Sequence, residues 1–125
     1  MKEKKATAGA ILIAAVFIAG AVFYTARAAK PNPHKYDVFA QCLTERGAVM
    51  YGASWCPHCQ AEKAAFANSF QYIRYVECVT DPALCSGKGV DAYPSWLVGT
   101  TSKIEGFDQN SFAALAKATG CVLPK

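Results

Sequence analysis

Apolar side chains recur along the chain with several spacings, and each spacing predicts an element. Ala6 to Tyr24 (ATAGAILIAAVFIAGAVFY) carries no charge in nineteen positions. At about 1.5 Å per residue such a helix is roughly 28 Å long, close to the hydrocarbon thickness of a bilayer. It is apolar on every face, which suits a soluble core poorly. Tyr36, Phe39, Ala40 and Leu43 follow the i, i+3, i+4, i+7 rule and predict an amphipathic helix ending near Gly47. Ala48-Val49-Met50-Tyr51 is a short apolar run that reads as a buried strand. Cys56 to Phe70 reads as a helix, with Pro57 in the first turn, where its preset φ helps and its missing N–H costs nothing. Ile73 to Val79 (IRYVECV) is β-branched and aromatic and reads as a strand. Pro82 to Lys88 is a short helical turn or loop. Ser95-Trp96-Leu97-Val98 and Lys103-Ile104-Glu105-Gly106-Phe107 read as a hairpin around Gly99-Thr100-Thr101-Ser102. Asp108 or Asn110 can cap a last helix, with Phe112, Leu115 and Ala116 inward and Gly120 at its end.

The order α-β-α-β-(turn)-β-β-α predicts an α/β domain in which helices cover a mixed central sheet. Three segments follow: a signal anchor or transmembrane helix over 1–26, a linker over 27–35, and a folded domain over 36–125. Pro31 and Pro33 block helix propagation in the linker, and His34 is expected in solvent there. A domain of about 90 residues buries a modest core and gains from covalent staples.

Charge sharpens the picture. Lys2, Lys4, Lys5, Arg27 and Lys30 stand against Glu3 alone, so the whole formal charge of +4 belongs to the first thirty residues. The rest is balanced and offers no basic run that would release counterions, which disfavours a nucleic-acid partner. Three lysines ahead of the apolar stretch keep the N-terminus in the cytoplasm and send the domain to the extracytoplasmic side. A cleaved signal peptide is the alternative, since Ala26-Arg27-Ala28 fits a small-x-small site, but nineteen apolar residues exceed the usual signal core of roughly 7–15. Either reading puts the domain in an oxidising compartment such as the periplasm, consistent with six cysteines in 125 residues.

Candidate chemistry sits at Trp55-Cys56-Pro57-His58-Cys59. Two cysteines two residues apart, where a strand hands over to a helix, have the layout of a redox pair. At the helix N-terminus, unpaired backbone N–H groups and the positive end of the dipole favour thiolate over thiol at Cys56. Cys59 lies one turn along and can close a disulfide with it. His58, as a cation, would favour the thiolate further and make the oxidised pair a stronger oxidant. Such chemistry needs no cofactor and no metal. Half a zinc site is the competing reading, but Cys78 and Cys85 stand too far apart for a second C-x-x-C. Covalent haem would need His at position 60, where Gln60 stands. A purely structural Cys56–Cys59 bridge closes so short a loop that it would restrict the unfolded chain little.

Strand, Trp-Cys-Pro-x-Cys, helix, strand and then Tyr93-Pro94 ahead of a strand resemble the thioredoxin superfamily from about Ala48 to the C-terminus. FAQCL, VMYGASWCPHCQ, YVEC and YPSW are similar, more closely, to the thioredoxin-like domain fused to bacterial homologues of vitamin K epoxide reductase. In those fusions the domain exchanges disulfides with a membrane quinone reductase and with exported proteins. The resemblance implies Cys56 as the attacking thiolate, Cys59 as the resolving thiol, and Pro94 as a cis proline facing their disulfide. It implies that the Tyr93 backbone pairs with substrate peptide and that Trp55 shields one side. It also implies a separate membrane partner, because one apolar stretch stands where the fusions carry a four-helix enzyme. Many thioredoxins bury an acidic residue six positions before the first cysteine to move the proton of the second thiol. Met50 stands there in this chain, so Glu62 or water would have to substitute.

The other four cysteines read as staples. Cys78 and Cys85 bracket a short loop; Cys42 and Cys121 remain, one in each terminal helix, although connectivity is not set by sequence alone. Alternatively Cys78 and Cys85 relay electrons to Cys56 and Cys59. The reading that emerges is a tethered thiol–disulfide oxidoreductase that oxidises exported proteins and is reoxidised by a quinone-linked membrane partner. Its rivals are a reductase or isomerase using the same dithiol, and a binding module without catalysis.

Overall fold

The computed structural model describes residues 31–125. The segment read as a transmembrane helix or signal lies outside the described residues, as does the first part of the linker, 27–30. Among the described residues no helix is long and apolar enough to cross a membrane. Asn32–Lys125 forms one compact unit.

In chain order the elements are α1 (Asp37–Glu45), β1 (Ala48–Gly52), α2 (Pro57–Phe66), a 3-10 helix (Ala67–Tyr72), β2 (Tyr75–Glu77), α3 (Pro82–Gly87), β3 (Ser95–Val98), β4 (Ser102–Glu105) and α4 (Ser111–Thr119). The sheet order is β2-β1-β3-β4. β1 runs parallel to β2 and antiparallel to β3, and β3 and β4 form the expected hairpin. The result is the mixed sheet flanked by helices that the α/β pattern predicts.

Register assigns the two faces of the sheet. Met50 pairs with Trp96, and both side chains enter the larger core with Phe39, Leu43, Phe66 and Leu115 from α1, α2 and α4. Residues of opposite parity, Val49, Tyr51, Val76 and Leu97, pack instead with Cys78, Cys85 and Val90 around the short α3. This alternation is the period of two that a strand imposes. Phe66 is the aromatic hub of the larger core: it packs on Phe112 at 4.3 Å between ring centroids and also meets Tyr36, Phe39, Phe70 and Trp96.

Two boundaries differ from the sequence pattern. The helix beginning at Pro57 stops at Phe66 rather than Phe70, because Ala67 takes a positive φ of 50° and the chain tightens into 3-10 turns. Tertiary bonds hold that conformation: buried Ser69 donates to Asp37 Oδ1 at 2.6 Å, and Thr44 donates to the Tyr72 carbonyl at 2.7 Å. The strand expected over Ile73–Val79 keeps only Tyr75–Glu77, since Cys78 is drawn into a turn. α4 ends at Gly120, whose φ of 75° suits a residue without Cβ.

Two disulfides pin this frame. Cys42 in α1 is bonded to Cys121 just beyond α4, and Cys78 is bonded to Cys85 across the β2–α3 turn. Cys78 and Cys85 are both buried and already bonded to each other, as structural staples are.

Candidate active site

β1 ends at Gly52, and α2 begins five residues later at Pro57. Cys56 is the N-cap of α2 and Pro57 its first residue. The Cys56 sulfur does what a capping oxygen does elsewhere: it accepts the Cys59 backbone N–H at 3.2 Å. A turn closed by the Cys56 N–H on the Ala53 carbonyl, at 3.0 Å, presents the sulfur to that amide. Negative charge on Cys56 would therefore meet a directed N–H and the positive end of a ten-residue helix. Both cysteines are free thiols, so the structure holds the dithiol form of the pair rather than its disulfide.

The two sulfurs are unequally placed. Cys56 retains 4% exposure at the rim, whereas Cys59 is fully buried. Burial first, then the hydrogen bond with Cys56 and the negative charges of Cys56 and Glu62, hold the Cys59 thiol well above the ordinary thiol range. His58 and Pro57 are exposed on the first turn of α2. Trp55 is exposed, and its ring meets Tyr93 edge-on at 6.1 Å. The Tyr93–Pro94 bond is cis; Pro94 is buried and its carbonyl accepts the Gly106 N–H at 2.8 Å. Trp55 and Tyr93, 38 positions apart along the chain, thus share one rim beside Cys56.

Glu62 is a feature that helical pattern alone does not flag. It lies three residues after Cys59 on the same helix face and is fully buried. Its Oε1 accepts the Trp96 indole N–H at 2.8 Å, and its Oε2 has no hydrogen-bond partner. Burial pushes its carboxyl up to about 7, and the Trp96 bond offsets only part of that. A base that titrates near neutrality therefore stands beside the deeper thiol, where Met50 denies one from β1.

A second group flanks the site from β2. Tyr75 donates to Glu77 Oε2 at 3.0 Å, and Glu77 Oε1 accepts the Ser54 and Val79 amides at 3.0 and 3.3 Å. Desolvation is the largest single influence and raises it, but the Tyr75 hydroxyl, the Val79 and Ser54 amides and Lys63 together outweigh it and hold the Glu77 carboxyl below its usual range. Lys63 also sits 3.6 Å from the Tyr75 ring centroid. A Cβ at Gly52 would fall 2.9 Å from Cys59 Sγ and 3.2 Å from the Tyr75 hydroxyl, so this position requires glycine on space alone. Among the described residues no group of three or more His, Cys, Asp or Glu gathers as a metal site.

No family model matches the chain. In an alignment of 93 positions that covers 65% of this chain, it is 31% identical to the thiol-disulfide oxidoreductase LTO1 of Arabidopsis thaliana, and it spans 23% of that relative's length. Among solved structures, thioredoxin from Plasmodium falciparum superposes with a TM-score of 0.46 at 23% identity, covering 62% of this chain and 72% of that one. Thioredoxin NaTrxh from Nicotiana alata gives 0.48 at 12% identity, covering 74% and 96%.

Proposed function

We propose that this chain is a thiol–disulfide oxidoreductase that works through Cys56 and Cys59. The observation that carries the reading is the pairing of two free thiols at one helix N-terminus, the outer one capped by the backbone N–H of the inner. The partial identity to a thiol-disulfide oxidoreductase supports it.

The preferred direction is oxidation of substrate. With Cys56 and Cys59 disulfide-bonded, a substrate thiolate attacks Cys56 Sγ. A substrate–Cys56 bond forms, the Cys56–Cys59 bond breaks, and Cys59 leaves as a thiolate. Its proton comes from Glu62, whose carboxyl is still partly protonated near neutral pH. A second substrate thiolate then attacks the substrate sulfur of the mixed disulfide and releases Cys56 as a thiolate, which the Cys59 amide and the helix N-terminus stabilise. Two electrons pass from a substrate dithiol to the pair. Read in reverse, the same steps reduce a substrate disulfide, with Glu62 taking the Cys59 proton.

The exposed Trp55 and the Tyr93-Pro94 segment provide the rim on which an extended substrate would lie. Substrates are exported proteins, the domain faces the extracytoplasmic space from a tether within residues 1–26, and a quinone-linked membrane enzyme of the vitamin K epoxide reductase type reoxidises the pair. That part rests on the lysine-flanked apolar stretch and the resemblance of the cysteine-bearing segments.

The decisive experiment is Cys59→Ala, expressed in a compartment where disulfides form. Mixed disulfides should accumulate at Cys56, reducible by dithiothreitol. A folded variant with no trapped species would support a binding module instead. The reduction potential of the pair decides direction: a value near those of strong oxidants supports oxidation, and one near thioredoxin's supports reduction.

A further inference from the structure

The loop that presents Cys56 is held from both sides by side chains outside the cysteine motif. The Ser54 carbonyl accepts Gln60 Nε2 from α2 at 2.7 Å, and the Ser54 N–H donates to Glu77 Oε1 from β2 at 3.0 Å. The same carboxylate oxygen accepts the Val79 amide at 3.3 Å, within the turn that Cys78–Cys85 closes. Between Glu77 and Val79, the Cys78 N–H donates to the Gly52 carbonyl at 2.8 Å. Oε2 is fixed by Tyr75, and Tyr75 in turn lies under Lys63.

We propose that Glu77 is a positioning residue for Cys56: its carboxylate ties the loop ahead of the sulfur to the stapled turn, and so keeps that sulfur on the Cys59 amide. The proposal rests on the oxidoreductase reading and extends it to a residue that never touches the reacting sulfurs. Two separate pieces of backbone, Ser54 and Val79, converge on one oxygen, while the other oxygen is held by a third residue. A carboxylate whose only role was solubility would not be held from three directions.

The sign of the expected effect separates geometry from charge. A carboxylate beside a thiolate disfavours it, so deleting Glu77 for charge alone would make Cys56 more reactive. Deleting it as a clamp frees Ser54, loosens the Ala53–Cys56 turn and weakens the hold of the Cys59 amide, which makes Cys56 less reactive.

The test is the rate of alkylation of Cys56 by iodoacetamide from pH 5 to 9, read by mass spectrometry. It uses the full chain, reduced at Cys56 and Cys59 with both structural disulfides intact. Glu77→Ala should lower the rate at pH 6 by about tenfold, the weight of one charge-assisted hydrogen bond. Glu77→Gln keeps an acceptor for both amides and should stay within about twofold of the unsubstituted chain. Should Glu77→Ala not fold, Glu77→Asp, one methylene short of Ser54, carries the same expected loss. An unchanged or faster Glu77→Ala, or a Glu77→Gln as slow as Ala, overturns the clamp. An unsubstituted Cys56 no more reactive than a free thiol sinks the oxidoreductase reading and the clamp with it, so the two failures are told apart.

Discussion

Replacing Glu62 with Gln should make the domain's stability less sensitive to pH, by an amount the buried carboxyl sets. An unfolded glutamate titrates near 4.5, and in the fold burial moves it to about 7. Below the unfolded value both states hold the proton and the group contributes no pH dependence. Between the two values the unfolded chain releases a proton that the folded chain keeps, so stability falls as pH rises. Above about 7 both states are ionised and the full penalty applies: roughly 2.5 units at 1.36 kcal/mol each, or about 3 kcal/mol. That is a large share of the 5–15 kcal/mol typical of a folded domain. Glutamine can keep the acceptor for the Trp96 indole N–H and has nothing to ionise. Its amide group inherits the unpartnered position of Oε2, a cost of about 1–3 kcal/mol that is the same at every pH. The assay is urea unfolding of the full chain in detergent, followed by tryptophan fluorescence between pH 4 and 8 with Cys56 and Cys59 reduced. The difference in unfolding free energy between variant and unsubstituted chain should move by about 3 kcal/mol in favour of glutamine across that range. Parallel pH curves would refute the assignment of a raised, buried carboxyl at this position.

Three further outcomes follow from the same structure. Trp96→Phe removes the hydrogen bond that favours the Glu62 carboxylate, so the midpoint of that pH-dependent loss should shift upward; an unshifted midpoint would mean the indole does not bear on the titration. Gly52→Ala places a methyl 2.9 Å from Cys59 Sγ, so it should cost on the order of 1–3 kcal/mol and slow Cys56–Cys59 disulfide closure, as read by denaturation and by quenched oxidation. Cys42→Ala with Cys121→Ala opens a loop of sequence separation 79 and should cost about 4.5 kcal/mol on the loop-entropy model, against about 2.5 kcal/mol for the separation of 7 in Cys78→Ala with Cys85→Ala; equal melting shifts would argue against an unfolded-state origin.

The legible parts of this sequence are those in which local chemistry and spacing agree. Phe39, Ala40 and Leu43 line one side of α1 because i, i+3 and i+4 positions share a face, and all three are buried. Pro57 starts α2 because proline suits a first helical turn, and Gly120 stops α4 because a left-handed end favours glycine. What was hidden depends on partners far along the chain. Glu62 is named in the sequence only as a substitute for an acid at position 50; its burial follows from Trp96, 34 positions later, whose indole N–H donates to it. Glu77 carries no local signal of a role, and its hold on Ser54 exists only because β2 pairs in parallel with β1 and brings Glu77 opposite Gly52. Ala67 carries no local signal for a positive φ; the Ser69–Asp37 bond imposes it from another helix. The clue that composition did offer was Met50: an apolar residue there directs attention to other acids that could serve Cys59.

The Cys42–Cys121 bridge joins the first helix of the domain to the residues just after the last. Tension applied through the two chain ends would therefore be borne by a covalent sulfur link, while β1 to β4 lie inside the closed ring and feel none of it. A protease cut anywhere between the two positions would nick this ring without releasing a fragment, so the halves would stay together long enough to re-form the sheet.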